Sequence, residues 1–201
     1  MILRSVIHFI HFKKCTISSK IYLMAFIDPQ KNIEQFGLEK GMMVADLGVG
    51  SGFYTISASK KVGEDGRVYA IDVQKNLLEK LQKQAETERI FNIEYIWGDV
   101  EKLGGTRLAD SSVDAIILSN ILFQIENKEL LASEIKRILR PNGRVLVVDW
   151  SDSFNNMGPT KEMVFNEQQA EDFFINKGFV VVKKIEAGEN HYGIIFRMKE
   201  K

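Results

Sequence analysis

The most informative stretch of the chain reads Val44-Ala45-Asp46-Leu47-Gly48-Val49-Gly50-Ser51-Gly52-Phe53-Tyr54-Thr55. The apolar run from Met42 to Leu47 is typical of a buried strand in a parallel sheet. Three alternating glycines then lead into a helix that we predict over Phe53 to Val62. Glycines at such a turn keep space free beside the backbone, and the first turn of the helix presents unpaired amide groups. The junction therefore predicts a binding site for a nucleoside or a small anionic group, although a turn shaped only by packing would also suit glycine.

Strands and helices alternate along the rest of the chain. We predict strands at Arg67–Ile71, Ile93–Trp97, Val113–Leu118 and Arg144–Val148, with helices at Lys75–Glu88 and Lys128–Leu139. A short helix that begins at Pro29 precedes them, and a helix at Glu167–Lys177 and strands at Phe179–Ile185 and Tyr192–Met198 follow. This alternation predicts an α/β fold with a doubly wound, mostly parallel sheet. The hairpin-length turn between the last two strands makes the final strand antiparallel.

Polar residues follow three of the predicted strands. Asp72 ends the second strand, where a carboxylate can accept hydrogen bonds from the hydroxyls of a ribose. Asp99 follows the third strand, where an acceptor suits the amino group of an adenine, and Asn120 follows the fourth strand. Each residue also has a purely structural interpretation, namely a helix cap for Asp72, a turn former for Asp99 and a loop amide for Asn120.

Four motifs together carry a resemblance to a known family. They are Asp46-Leu-Gly-x-Gly-x-Gly52 after the first strand, Asp72 at the end of the second, Gly98-Asp99-Val100 after the third, and Leu139-Arg-Pro-Asn-Gly-Arg144 before the fifth. The stretch from Asp28 to Met198 resembles the class I S-adenosylmethionine-dependent methyltransferases, in particular the small-molecule group that includes quinone-biosynthesis enzymes. The resemblance implies a Rossmann-like, seven-stranded sheet of order 3-2-1-4-5-7-6 with an antiparallel last strand.

The same resemblance implies a cofactor, a reaction and a set of binding residues. The cofactor is S-adenosyl-L-methionine, and the reaction is an in-line displacement that moves its methyl group to a small-molecule acceptor. The implied cofactor residues are Asp46, Gly48, Val49, Gly50 and Gly52 for the methionine part, Asp72 for the ribose, Val73, Asp99 and Val100 for the adenine, and Asn120 beside the sulfur.

Methyl transfer from a sulfonium depends mainly on orientation and on a water-poor site, so a general base is optional. If the acceptor is a hydroxyl or a protonated amine, the candidate bases are Tyr54, Asp149, Asp152 and His191. Each of these residues also has a purely structural interpretation. Tyr54 suits a packed helix, the two aspartates suit a role in capping or solvating the loop after the fifth strand, and His191 suits an exposed turn.

The irregular segment from Ser151 to Phe165 is the predicted wall of the acceptor site, because long loops inside compact domains usually serve binding. Its large apolar side chains either line an apolar acceptor pocket or close the core; they are Phe154, Met157, Met163 and Phe165.

Composition narrows the class of protein further. The formal net charge is zero, which gives no general attraction to nucleic acid, and no Asn-Pro-Pro-Tyr element of the amino-methylating nucleic-acid enzymes follows the fourth strand. Cys15 is the single cysteine, so we expect no disulfide, a cytoplasmic location and a difference from the cysteine-dependent arsenic methyltransferases. We expect no metal site, because His8 and His11 precede the predicted domain and His191 stands apart.

The first two dozen residues differ in composition from the rest. Arg4, Lys13, Lys14 and Lys20 precede the first acidic residue, Asp28. We therefore divide the chain into an N-terminal extension, residues 1–24, and a single methyltransferase domain, residues 25–201. The extension suits an upstream start codon or an organelle transit peptide better than a secretory signal, and it is too short to hold a membrane-spanning helix beside its polar residues.

Two rival functions share much of this pattern. A nicotinamide-dependent oxidoreductase also has a strand, a glycine turn, a helix and an acid, but its fingerprint is Gly-x-Gly-x-x-Gly, whereas one residue separates Gly50 from Gly52. A non-catalytic module would keep the cofactor fold in order to bind a partner or to sense the nucleoside.

Overall fold

The structure, a computed structural model, describes residues 27–154 and 158–199. The predicted extension, with Cys15, His8 and His11, lies outside the described residues, as does Met157. The described part contains these elements in chain order: α1 (Pro29–Phe36), β1 (Met43–Leu47), α2 (Phe53–Val62), β2 (Arg67–Asp72), α3 (Lys75–Thr87), β3 (Ile93–Trp97), β4 (Val113–Ser119), α4 (Lys128–Ile138), β5 (Leu139–Trp150), α5 (Glu167–Asn176), β6 (Phe179–Ile185) and β7 (His191–Met198).

The strands form one sheet in the order β3-β2-β1-β4-β5-β7-β6. Neighbouring strands from β3 to β5 pair in parallel, whereas β7 runs antiparallel to both β5 and β6. The predicted fold class, strand order and antiparallel last strand are therefore confirmed. In the described part of the chain no helix combines the length and the apolar character that crossing a membrane requires.

Helices cover both faces of the sheet, as a doubly wound fold requires. On one face, α1, α2 and α3 pack against strand residues such as Val44, Ile117 and Val148. On the other face, α4 and α5 pack against the alternate residues, such as Ile116 and Val147. The near-continuous apolar runs of the central strands follow from this burial on both sides.

The start of β5 differs from the sequence prediction. The prediction placed it at Arg144, but Leu139 already pairs with Val113 of β4, and Arg144 pairs with Ala115. The intervening residues bulge out of the ladder, with Asn142 at a φ of +66°. A Cβ at Gly143 would lie 2.5 Å from the Leu139 side chain, so the bulge needs glycine there. The motif from Leu139 to Arg144, one of the four that carried the family resemblance, is thus a compact strand irregularity.

The helix termini follow the capping signals in the sequence. The Asp28 carboxylate accepts a hydrogen bond from the Lys31 amide at 3.0 Å, Pro29 occupies the first turn of α1, and Gly37 ends the helix in the left-handed region. At the start of α5, Asn166 and Gln169 exchange side-chain to backbone hydrogen bonds in a capping box. These contacts satisfy backbone groups at the starts of α1 and α5.

Candidate active site

The glycine loop lies at the carboxyl end of β1, beside the ends of β2 and β4. All three glycines have positive φ, and Gly48 donates a backbone hydrogen bond to Ile71 at 2.8 Å. A Cβ at Gly48 would lie 2.2 Å from Ile121, and one at Gly52 would lie 2.5 Å from Leu81. A Cβ at Gly50 would meet nothing within 4 Å. Two glycines therefore permit close packing, and the third borders open space.

Asp72 connects the end of β2 to this loop. One carboxylate oxygen lies 3.3 Å from the amide nitrogen of Gly50, and the other accepts a hydrogen bond from Gln74 at 2.8 Å. The contact with Gln74 is not the helix cap that the sequence left open, because Gln74 is itself the N-cap of α3 and no side chain caps that helix. A carboxylate has about four acceptor positions, so Asp72 retains capacity for further donors.

Asp46 is a fully buried acid behind the glycine loop. Its carboxylate accepts a hydrogen bond from the Thr55 hydroxyl at 2.5 Å. Burial raises the pKa of Asp46 to about 7; the Thr55 hydrogen bond opposes the rise, and the charge of Asp72 adds to it. Two carboxylates close together in a desolvated place favour a bound cation.

The residues predicted for the adenine surround the ends of β2 and β3. Val73 is 56% exposed and Trp97 is 49% exposed, and the Trp97 indole donates a hydrogen bond to the Val73 carbonyl at 3.0 Å. Asp99 pairs with Lys102 at 3.0 Å, which lowers its pKa, and Val100 is buried. Trp97 was not among the predicted site residues, although an aromatic residue next to Gly98 was a signal in the sequence. Val73 and the exposed part of Trp97 offer apolar surface to a planar ligand, and the Lys75 ammonium lies over the Trp97 ring at 4.0 Å from its centroid.

Asn120 stands at the end of β4 with an unusual backbone. Its φ is +53°, and its backbone amide donates a hydrogen bond to the Val148 carbonyl at 2.9 Å. Its side-chain oxygen is buried and has no hydrogen-bond partner among the described residues. A buried acceptor without a donor is costly, so this atom fits a site that a ligand completes.

Tyr54 is buried in the first turn of α2. Its hydroxyl accepts a hydrogen bond from the Asn32 side chain of α1 at 2.7 Å, and the Ser119 side chain at the end of β4 also interacts with it. Burial nevertheless raises the pKa of Tyr54 well above its ordinary value. Tyr54 therefore joins α1 to the strand ends as a neutral hydrogen-bonding group.

The two aspartates proposed as bases differ in environment. Asp149 is buried, and its carboxylate accepts hydrogen bonds from the Leu122 and Trp150 amides, both at 2.8 Å. Burial raises the pKa of Asp149 to about 6, and these two hydrogen bonds oppose the rise. Asp152 is exposed and accepts a hydrogen bond from the adjacent amide of Ser153. In this arrangement Asp149 holds the segment after β4 in place, whereas the structural alternative from the sequence placed its role in the loop after β5.

His191 is buried at the start of β7, and not in an exposed turn. Its ring packs on Trp150 with 4.3 Å between centroids, and neither ring nitrogen has a hydrogen-bond partner among the described residues. It lines a cavity of about 570 Å³ between α1, the end of β5 and the β6–β7 hairpin. Asn32 lines the same cavity and was absent from the sequence prediction. The glycine loop does not line this cavity.

The apolar residues of the segment after β5 are dispersed. Phe154 lies near Trp150, with 6.3 Å between ring centroids, whereas Phe165 packs edge-on against Phe173 of α5. Met163 is 46% exposed. Phe165 thus closes the core, and neither Phe154 nor Phe165 lines the cavity beside His191. No cluster of three or more metal-ligating side chains occurs within residues 27–154 and 158–199.

The fold and this arrangement define a doubly wound α/β protein whose candidate site lies at the carboxyl ends of parallel strands. Residues 38–197 match the family described as Methyltransferase domain. Because this match covers more than half of the chain, the chain belongs to that family. The comparisons give no support to the nicotinamide-dependent alternative.

Three similar proteins illustrate the relationship. The ubiquinone/menaquinone biosynthesis C-methyltransferase UbiE of Klebsiella pneumoniae is 33% identical over 120 residues, 59% of this chain and 47% of the relative. An arsenite methyltransferase of Halobacterium salinarum is 31% identical over 109 residues, 54% of this chain and 27% of the relative. The chain thus spans less than half of these relatives.

A solved structure gives a fuller match. The crystal structure of a SAM-dependent methyltransferase from Aquifex aeolicus superposes with a TM-score of 0.78 at 29% identity, covering 92% of this chain and 100% of that one. The family and this structure imply S-adenosyl-L-methionine as the cofactor.

Proposed function

We propose that the chain transfers a methyl group from S-adenosyl-L-methionine to a small-molecule acceptor. One observation carries the proposal, namely the convergence of the Gly50 backbone, the Asp72 carboxylate and the unpartnered Asn120 amide oxygen at the ends of β1, β2 and β4. Gly50 borders open space, the Asp72 carboxylate can accept further hydrogen bonds, and the Asn120 oxygen lacks a donor. All three groups lie at one edge of the sheet. The family relationship names the cofactor that matches such a set.

The residues fit the cofactor part by part. In the proposal, Asp46 and the loop residues Gly48, Val49, Gly50 and Gly52 hold the cationic methionine part, close to two carboxylates. Asp72 accepts the ribose hydroxyls, Val73 and Trp97 supply apolar contact for the adenine ring, and Asp99 and Val100 hold its polar edge. Asn120 lies beside the sulfur.

The cofactor supplies an electrophilic methyl group, so the protein does not have to activate the leaving group. The residues of this chain contribute by orienting the two reactants and by keeping water away from them. The burial of Tyr54, Asp149 and His191 at this edge of the sheet provides the dry environment. The proposed reaction is an in-line displacement by a nucleophilic atom of the acceptor.

The proposed acceptor class rests on the functions of the relatives and on the zero net charge of this chain. Ubiquinone and menaquinone precursors and arsenite are small molecules, which favours a small acceptor here as well. The zero net charge favours neither nucleic acid nor an anionic surface. We place the methyltransferase domain at residues 25–201 and its working location in the cytoplasm.

Calorimetric titration with S-adenosylmethionine, S-adenosylhomocysteine and NAD⁺ tests the proposal. We expect binding of the first two ligands and none of NAD⁺. Asp72→Ala should weaken binding of S-adenosylhomocysteine by roughly 1 to 3 kcal/mol, the usual cost of removing a buried hydrogen-bonding partner. Binding of NAD⁺ in place of the other two ligands, or an unchanged affinity in Asp72→Ala, would contradict the proposal. Methyl transfer to a panel of metabolites then separates an enzyme from a sensor.

A further inference from the structure

The cavity beside His191 contains buried polar atoms that the protein leaves unsatisfied. Both ring nitrogens of His191 and the side-chain oxygen of Asn32 lack a hydrogen-bond partner among the described residues. His191 is 8% exposed and Asn32 is completely buried. Each such atom costs roughly 1 to 3 kcal/mol unless something binds it. Their occurrence around one cavity of about 570 Å³ points to a ligand.

The orientation of the Asn32 amide is fixed by its neighbours. Its nitrogen donates to the Tyr54 hydroxyl at 2.7 Å and to the Ala187 carbonyl at 3.2 Å. A carbonyl can only accept, so the amide nitrogen must face Ala187 and the amide oxygen must face away from it. The unsatisfied atom of Asn32 is therefore an acceptor that needs a donor.

The charged residues that line the cavity are already paired. Lys31 pairs with Glu186 at 3.0 Å, and Lys184 pairs with Glu167 at 2.8 Å. Asp28 accepts the amide hydrogen bond that caps α1. The remaining described lining is largely apolar, with Ile27, Ile185, Ala187 and Tyr192. This lining suits a neutral molecule with an apolar body.

Asn32 links the cavity to the proposed cofactor site, although none of the predicted cofactor residues lines the cavity. Asn32 holds the hydroxyl of Tyr54, which follows the glycine loop by two residues and also interacts with Ser119 at the end of β4. Ser151 lines the cavity directly after β5, the strand paired with β4. A molecule in the cavity therefore lies at the same edge of the sheet as the cofactor loop.

We infer that this cavity binds the methyl acceptor, a neutral molecule with an apolar body and at least one hydroxyl group, through hydrogen bonds to Asn32 and His191. This inference rests on the proposed function. A hydroxyl donates to the Asn32 oxygen or to one ring nitrogen and accepts from the other ring nitrogen. Burial lowers the pKa of His191 to about 4, so the ring is neutral near pH 7 and offers one donor and one acceptor.

The test uses the full chain with catechol as the hydroxylated probe and 1,2-dimethylbenzene as its match in shape without hydroxyls. We expect catechol, and not dimethylbenzene, to bind at millimolar concentration and to shift the imidazole nitrogen resonances of His191. His191→Phe keeps a ring against Trp150 but removes both nitrogens. It should weaken catechol binding by at least roughly tenfold and leave the affinity for S-adenosylhomocysteine unchanged. His191→Gln should retain part of the binding.

Stability supplies a second readout. His191→Phe should raise the melting temperature, because it removes two unsatisfied buried nitrogens, whereas a merely structural histidine would lower it when replaced. Glu189→Ala, at an exposed position in the same hairpin, is the matched control and should change neither property. Equal catechol binding in His191→Phe, or no resonance shift in the unmodified chain, overturns the inference. If the unmodified chain binds catechol but does not bind S-adenosylhomocysteine, that result would instead reject the proposed function.

Discussion

Asp46 is a buried acid whose environment favours the protonated form. Its carboxyl group is buried beside Asp72, and its pKa rises from an ordinary 3.8 to about 7. The unfolded chain loses this proton at a much lower pH than the folded protein does. Asp46 therefore stabilises the fold least at high pH, and this loss develops as the pH rises from about 4 to about 7. A bound cation reverses the preference, because it stabilises the carboxylate.

We accordingly predict that S-adenosylhomocysteine binding releases a proton from Asp46. The ammonium group of S-adenosylhomocysteine favours the ionised form of Asp46. The affinity for this ligand should therefore increase as the pH rises toward 7 and then level off. Calorimetry in buffers of different ionisation enthalpy measures the released proton directly. Asp46→Asn should abolish the release while keeping an acceptor for Thr55. Equal proton release in both proteins would show that another group titrates.

Single residues also show what the sequence could not reveal. Asp72 was predicted because the end of a second strand is a recognisable position, and its contact with the Gly50 amide agrees with that placement. Asn32 was missed, since its contact with Ala187 joins residues 155 positions apart. The sequence also left the role of Asp149 open. Its carboxylate accepts hydrogen bonds from two backbone amides, and the types of the residues involved do not indicate such contacts. The roles of the site residues remain predictions.

At the scale of elements, a buried carboxylate fastens the segment after β3 to α4. Glu134 accepts hydrogen bonds from the amides of Gly104 and Thr106 at 2.7 and 3.1 Å, and Arg137 donates to both of its oxygens. Burial alone would raise the pKa of Glu134, but these hydrogen bonds, led by those from Arg137, lower it to about 2. The network holds the segment that begins with Asp99, and hence one wall of the candidate site.

We predict that Glu134→Ala destabilises the protein by about 1 to 3 kcal/mol, because the buried amide and hydroxyl of Thr106 lose their acceptor, while Arg137 keeps its ion pair with Asp110. Urea unfolding measures this change in the free energy of unfolding. Glu129→Ala on the same helix removes an exposed pair with Lys177 and should cost at most about 1 kcal/mol. The contribution of Glu134 is present above its ordinary pKa and is lost as the pH falls toward 2. Similar losses in the two variants would contradict this role.

Element types were predictable, whereas some boundaries depended on tertiary pairing. Visible caps marked the starts of α1 and α5, whereas α2 has the predicted bounds without a side-chain cap. Strand β3 also has the predicted bounds. The start of β5 was wrong by five residues, because only the partner strand decides that Leu139 pairs with Val113 before the bulge. A proline and a glycine within that motif read as a loop from sequence alone.

At the scale of the whole molecule, the two halves of the sheet have different proposed tasks. The half formed by β3, β2 and β1 carries the glycine loop and the acids proposed for the cofactor. The other half, formed by β5, β7 and β6, carries the cavity beside His191. Strand β4 and helix α1 lie between them, and Tyr54 contacts both. This division follows from the crossover order, which brings two different loop sets to one edge.

The whole account depends on the cofactor lying against the glycine loop, and a matched pair of glycine variants tests this. Gly50 and Gly41 both have positive φ, and a Cβ at either position meets nothing within 4 Å. Gly50 lies at the carboxyl end of β1, whereas Gly41 precedes its amino end. Alanine in the left-handed region costs about 1 to 2 kcal/mol at each position, so the two variants should be equally destabilised.

The decisive measurement is the affinity of Gly50→Ala and Gly41→Ala for S-adenosylhomocysteine, determined by calorimetry beside the unmodified chain. We predict that Gly50→Ala binds at least roughly tenfold more weakly, a difference of about 1.4 kcal/mol, because the new methyl group enters the cofactor's space. Gly41→Ala should bind as the unmodified chain does. Equal affinities in all three proteins would show that the cofactor does not lie against this loop.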